Sequence, residues 1–396
     1  MIRVPQVAGF LLALFLLSGR WGIERLSEGQ GSPLFELRLW ITLVFLLIVG
    51  IFSWIKRERE TIPKNTLLYR FLIFSIFGYL LYMVISTAWS PEASLAVEKS
   101  YEILLILLII FGLGLLSFVM DLEEVANSFL ASVVFIGMAM AVMAVILLYR
   151  SSTGRLAILG GGPNVFGRIM GYLCIGGLYF WRTSKFPVPW LAATFMAGAL
   201  VLLSGSRGAM LACAAACLGY FFLERIRMRK VFGFVFAGVV FSLCVMIFTG
   251  FWDVLSKVGE ERVVKLLFVE RYGSGREFLY ATAFEMGSQR LLAGWGLAAF
   301  SMRYPGWYPH NIFLETFSEG GMLGLGFLSL FLSLSFLSFR RRGRGMASTL
   351  FCFWILLFVA AQFSGDLYDS RGLFLFPLIA GFPGTKTDPI SSSRTL

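Results

Sequence analysis

Apolar residues come in runs long enough to cross a bilayer, and the runs recur along the whole chain, separated by short polar or glycine-rich breaks. A transmembrane helix needs about 20 mostly apolar residues. Read loosely against that length, the pattern predicts about twelve spans, at 4–18, 37–55, 67–86, 103–120, 129–148, 165–181, 188–203, 209–222, 231–249, 312–336, 348–363 and 373–382. A membrane barrel would instead show alternation over about ten residues per strand, and that alternation is missing. The expected fold class is therefore all-α, a polytopic membrane protein of about 12 transmembrane helices.

Basic residues give the expected orientation. Lys56, Arg57 and Arg59 follow the second span, Arg182 and Lys185 the sixth, Arg225, Arg227, Arg229 and Lys230 the eighth, and Arg340, Arg341, Arg342 and Arg344 the tenth. All these spans are even-numbered, so the positive-inside rule puts these loops and both termini in the cytoplasm. The loops at 19–36, 87–102, 149–164, 204–208, 250–311 and 364–371 then face outward. Only 250–311 is long, and Val254, Leu255, Val258, Val264, Leu267 and Phe268 draw an apolar stripe along 251–268, as in a helix lying in the interface plane. The organisation expected is a bundle at 1–249, an outer loop at 250–311 carrying short helices, further transmembrane helices at 312–382 and a cytoplasmic tail at 383–396.

Composition narrows the class further. The chain is 58% hydrophobic and 14% charged, with mean hydropathy +0.80, well outside the range of soluble domains. The net charge of +11 gathers beside apolar runs, as topology requires, and gives no reason to expect nucleic acid as a partner. Membrane lipids are the expected surroundings. Cys174, Cys213, Cys217, Cys244 and Cys352 lie inside apolar runs without metal-like spacing, and read as small packing residues. No cofactor is expected. Gly160-Gly161-Gly162-Pro163-Asn164 follows no strand and so is no nucleotide-binding loop.

Three positions on the outer side carry candidate chemistry. Arg207 sits in Ser204-Gly205-Ser206-Arg207-Gly208-Ala209, a turn too short to be a solvated loop, where glycines allow close approach of a phosphate. Arg276 follows a glycine-serine break, with Arg262, Lys265 and Arg271 as competitors for the same role. His310 is the one histidine in 396 residues, at the junction of the long loop and the tenth apolar run. It is the side chain that titrates near neutrality. Asn311, Glu315 and Glu319 follow closely, and a carboxylate there would orient the ring as in other general-base pairs. Asn164 has the position of a helix cap, with a sugar hydroxyl as its other possible partner. Asp366 and Asp369 form DxxD in a short outer loop, not the DxD of metal-dependent sugar transfer, and no metal is expected.

Two arginines and a histidine on the outer face fit a diphosphate leaving group and a hydroxyl nucleophile. Nucleotide sugars are not available there, so a glycosyl donor must arrive attached to a lipid. The residues resemble the O-antigen ligase and O-antigen polymerase group of membrane glycosyltransferases. The resemblance rests on the arginine turn at 204–209, the block from Gly275-Arg276 to Gly294-Trp295-Gly296, the stretch PHNIFLETFSEGGMLGL at 309–325, and Gly161-Gly162-Pro163-Asn164. It implies transfer of glycan from undecaprenyl diphosphate to an acceptor hydroxyl, with inversion and without metal, at the periplasmic face of a bacterial inner membrane. Arg207 and Arg276 then correspond to the diphosphate-contacting arginines and His310 to the catalytic base. A ligase would take a lipid A–core sugar as acceptor and a polymerase another lipid-linked repeat unit. A small-anion transporter of the bicarbonate kind is the alternative from another class. It should carry charges near mid-membrane in repeated halves, and no repeat is visible.

Overall fold

A computed structural model describes residues 3–18, 37–55, 67–120, 122–147, 156, 162–226, 229, 233, 238, 276–305, 307–340 and 344–380. All elements assigned among them are helical: α1 (Val4–Leu17), α2 (Leu37–Ile55), α3 (Leu67–Ile85), α4 (Ala93–Val119), α5 (Leu122–Leu147), α6 (Pro163–Thr183), α7 (Pro187–Leu203), α8 (Arg207–Leu223), α9 (Arg276–Gln289), α10 (Ile312–Arg340), α11 (Met346–Ala360) and α12 (Gly372–Ile379), with 3₁₀ turns at Ser86–Trp89 and Ala299–Met302. Among the described residues, five helical stretches have the length and hydropathy to cross a membrane: Leu37–Ile55, Leu67–Trp89, Ala93–Val119, Leu122–Ile146 and Ile312–Arg340. The ninth expected span and the amphipathic stretch 251–268 lie almost entirely outside the described residues.

These helices are apolar on most sides, which suits elements that face neighbours and lipid alike. Trp54, Phe74 and Phe222 remain exposed on the outside, while one hydrophobic cluster runs from Ala8 and Phe15 through Phe129 and Leu173 to Phe353 and Phe374. Helices from both ends of the chain meet in it: α1 packs on α5, α3 on α10, and α8 on α11. Leu279, Ala283, Met286, Ala299 and Phe300 form a second, small cluster around α9.

Two expected boundaries move. The outward loop expected at 87–102 is mostly helix, because α4 begins at Ala93. Lys99 and Glu102 made this stretch look solvated, yet both are matched inside the bundle. Arg38 Nη1 donates to Glu102 Oε1 at 3.3 Å from α2, and Lys99 reaches α10. The tenth span is also longer than expected and is broken. Gly321, with φ 63° and ψ −160°, interrupts α10.

A break at membrane depth frees backbone groups that lipid cannot satisfy. The 291–296 loop satisfies them. Trp295 N donates to Ser318 O (3.0 Å) and Gly296 N to Glu319 O (2.8 Å), while Met322 N and Leu323 N donate to Leu291 O and Leu292 O at 2.8 and 3.1 Å. Tyr82 on α3 donates its hydroxyl to Gly320 O at 2.7 Å. The Gly294-Trp295-Gly296 block is thus a plug seated in a broken helix. Elsewhere in the bundle's core, Arg371 donates to Phe15 O (3.0 Å) and Leu16 O (2.6 Å), covering carbonyls that the end of α1 leaves unbonded.

Candidate active site

Arg207 opens α8. Ser206 is its N-cap, with Oγ accepting from Ala209 N at 3.2 Å. The same hydroxyl donates to Asn164 Oδ1 at 2.7 Å. Asn164 therefore does not cap its own helix: the N-cap of α6 is Gly162, which makes no side-chain cap bond. Asn164 instead ties the start of α6 to the arginine turn. That turn packs closely, since a Cβ on Gly208 would lie 2.9 Å from Phe363 Cβ.

Arg276 is the first residue of α9. With Arg207 it lines one cleft of about 330 Å³, together with Gly208, Leu211, Glu277, Tyr280 and Phe363. That volume is at the lower end of ligand-sized pockets. Burial lowers the pKa of Arg276 and the Arg207 charge acts in the same direction, against Tyr280. Neither arginine forms an ion pair with another described residue. Arg271 lies outside the described residues.

His310 stands just before α10 in a left-handed conformation, φ 60°. Asn311 follows as a cap: its Oδ1 accepts from Phe313 N (3.0 Å) and Leu314 N (3.1 Å), and its Nδ2 donates to Gln362 Oε1 at 3.2 Å. Ile312 N donates to Ala361 O at 3.1 Å. These bonds hold a backbone conformation that a non-glycine residue adopts only when its surroundings enforce it. The ring packs against Tyr308 with centroids 4.4 Å apart and planes inclined at 58°. Its buried Nδ1 has no hydrogen-bond partner among the described residues. Burial, with Arg276 acting the same way, pushes its pKa down to about 4, and the Asp366 and Asp369 charges oppose the shift. The ring is neutral at physiological pH.

The carboxylates that the sequence offered for orienting His310 are engaged elsewhere. Glu315 Oε1 accepts from Lys99 Nζ at 2.6 Å, and both oxygens of Glu319 accept from the same ammonium at 3.1 Å. The acidic charges that act on His310 come from Asp366 and Asp369, between α11 and α12. Asp366 Oδ1 accepts from Asp369 N at 2.9 Å, and Asp369 pairs with Arg168 of α6 at 3.5 Å. Sequence reading passed over Lys99 and Arg168. An ionisable residue inside an apolar helix is the signal that marks Arg168. Lys99 carried no such mark, because it lay in an apparent loop.

Residues 192–329 match the family model for O-antigen ligase. That segment belongs to the O-antigen ligase family. It spans about a third of the chain and holds Arg207, Arg276, His310, Glu315 and Glu319. The resemblance drawn from the motifs is borne out there. The ligase family carries O-antigen ligase or polymerase activity in general, with a lipid-linked glycan and an acceptor as substrates. No curated protein matches the chain as a relative. The ligase-family segment is also where the cleft arginines and the plugged break of α10 lie. Outside the cleft, Cys174, Cys213 and Cys217 bring three sulfurs within 4.8 Å of one another between α6 and α8, with Cys174 and Cys217 in contact at 3.8 Å.

Proposed function

We propose that the protein transfers a glycan from undecaprenyl diphosphate to an acceptor hydroxyl, a lipid A–core sugar, on the periplasmic face of the inner membrane. The observation that carries this reading is the cleft shared by Arg207 and Arg276, with His310 close enough to Arg276 for that charge to depress its basicity. A diphosphate in the cleft would take charge-assisted, paired bonds from two guanidiniums. The acceptor oxygen attacks the anomeric carbon and the bond from that carbon to the phosphate oxygen breaks. The hydroxyl proton passes to neutral His310, and the diphosphate leaves with its negative charge held by the arginines. Attack opposite the leaving group inverts the anomeric centre. Polymerisation of lipid-linked repeat units uses the same steps with another acceptor.

The test is transfer by the purified full chain, given a polyprenyl-diphosphate glycan and either a lipid A–core acceptor or a second lipid-linked unit. Arg207→Ala, Arg276→Ala and His310→Ala are each expected to abolish transfer while the protein still inserts. Retained activity in all three would refute the site, and transfer to the lipid-linked unit alone would make the protein a polymerase.

A further inference from the structure

We infer that Lys99 is a positioning residue, whose ammonium pins the detached first half of α10 through Glu315 and Glu319 and so fixes where His310 stands beside the arginine cleft. The inference rests on the functional reading above.

The geometry begins with the break at Gly321. Residues 312–320 form a short rod, about 13 Å long at helical rise, that the remainder of α10 does not hold in line. His310 and Asn311 are attached to the end away from the break, so any tilt of the rod moves the imidazole. Glu315 and Glu319 are four residues apart and share one face. Their side chains are 2% and 1% exposed. Two carboxylates buried side by side repel strongly unless a cation lies between them.

Lys99 is that cation. It comes from α4, bonds Glu315 Oε1 at 2.6 Å and both Glu319 oxygens at 3.1 Å, and is itself largely buried. Among the described residues no second ammonium or guanidinium reaches the pair, and Glu315 Oε2 has no hydrogen-bond partner. The remaining bonds to the rod come from neutral groups: Tyr79 with Thr316 at 2.7 Å and Tyr82 to Gly320 O from α3, Trp295 N to Ser318 O and Gly296 N to Glu319 O from the plug, and Ile312 N to Ala361 O. Those bonds survive loss of Lys99, so the variant is expected to insert with the rod misplaced. Lys99 thus acts through the helix, and a displacement of about 1 Å at a reacting group costs on the order of 100-fold in rate.

The experiment compares Lys99→Met and Lys99→Arg with the wild-type full chain in the transfer assay, and follows amide hydrogen exchange across 312–320. For Lys99→Met, kcat should fall on the order of 100-fold while the KM for the lipid-diphosphate donor stays within about twofold, because the arginine cleft is untouched. Exchange at 312–320 should rise. Lys99→Arg should restore protection and most of kcat. Should Lys99→Met fail to insert, Lys99→Met with Glu315→Gln and Glu319→Gln removes the stranded charges, and it should fold with low kcat. Wild-type kcat in either folded variant, or a loss confined to KM, would overturn the inference. Increased exchange in Lys99→Met alongside a wild type that transfers no glycan would sink the functional reading and leave the pin standing.

Discussion

Gly294→Ala is expected to unseat the plug that completes α10. The native residue has φ +65°, where a residue with a Cβ loses about 1–2 kcal/mol. Space is the larger problem. A Cβ at this position would lie 2.5 Å from the carbonyl carbon and oxygen of Glu319 and 2.6 Å from Gly321 N. All three are backbone atoms, so no side chain can swing aside. The loop must back away, and four backbone hydrogen bonds join it to the break: Trp295 to Ser318, Gly296 to Glu319, Met322 to Leu291 and Leu323 to Leu292. At about 1 kcal/mol net for each bond, losing three or four of them together with the backbone strain gives about 4–6 kcal/mol.

The assay is thermal unfolding in detergent, read beside transfer activity. A fall in Tm of roughly 10 °C is expected at about 2 °C per kcal/mol. Activity should be lost with it, since the break lies eleven residues beyond His310, which stands just before the same helix. The control is Gly326→Ala, further along α10, where an added Cβ meets nothing within 4 Å. That change should be neutral or stabilise by up to about 1 kcal/mol. If Gly294→Ala melts with the wild type, the loop is not the element that satisfies the broken helix.

Because burial depresses the His310 pKa to about 4, the acid limb of kcat/KM should lie near pH 4 rather than near 6.5, and the profile should be flat from pH 5.5 to 7. Bound diphosphate adds negative charge beside Arg276, so the limb in kcat should move to higher pH than the limb in kcat/KM; coincident limbs near 6.5 would refute the assignment. The folded state binds fewer protons at this ring than the unfolded one, so its contribution to stability is complete above about pH 6.5 and is lost as pH falls toward 4. Arg276→Lys keeps the charge and loses the planar fork, and should lower kcat about 100-fold; full activity would mean that a point charge suffices. Arg371→Met removes two charge-assisted bonds to Phe15 O and Leu16 O and should destabilise by about 3–5 kcal/mol, read as a lower Tm in detergent.

What the sequence disclosed and what it hid follow from distance along the chain. Apolar runs name their own helices, and Leu37–Ile55 coincides with its expected span. His310, Arg207 and Arg276 each stand at a helix start marked by glycine, proline or serine, so the local signal was enough to find them. Lys99 was hidden because its partners lie 216 and 220 residues away, and a charge whose mate is that remote reads as a solvated one. Glu102 misled in the same way, 64 residues from Arg38. The carboxylates acting on His310 were missed for the opposite reason. Glu315 and Glu319 are near it in sequence, yet they face α4, while Asp366 and Asp369 arrive from the next connection but one.

That contrast bears on the two cleft arginines. The buried cations described here each have a fixed partner: Arg38 with Glu102, Lys99 with two glutamates, Arg168 with Asp369, and Arg371 with the carbonyls ending α1. Such pairing is what a charge in an apolar bundle requires. Arg207 and half-buried Arg276 stand apart, lining one cleft without an ion pair among the described residues. Two like charges gathered at one opening repel, and burial already weakens the protonation of Arg276. A fold that matches its buried cations while holding exposed Arg207 beside half-buried Arg276 retains a cost that an anionic ligand would relieve, and a diphosphate carries enough charge to engage both.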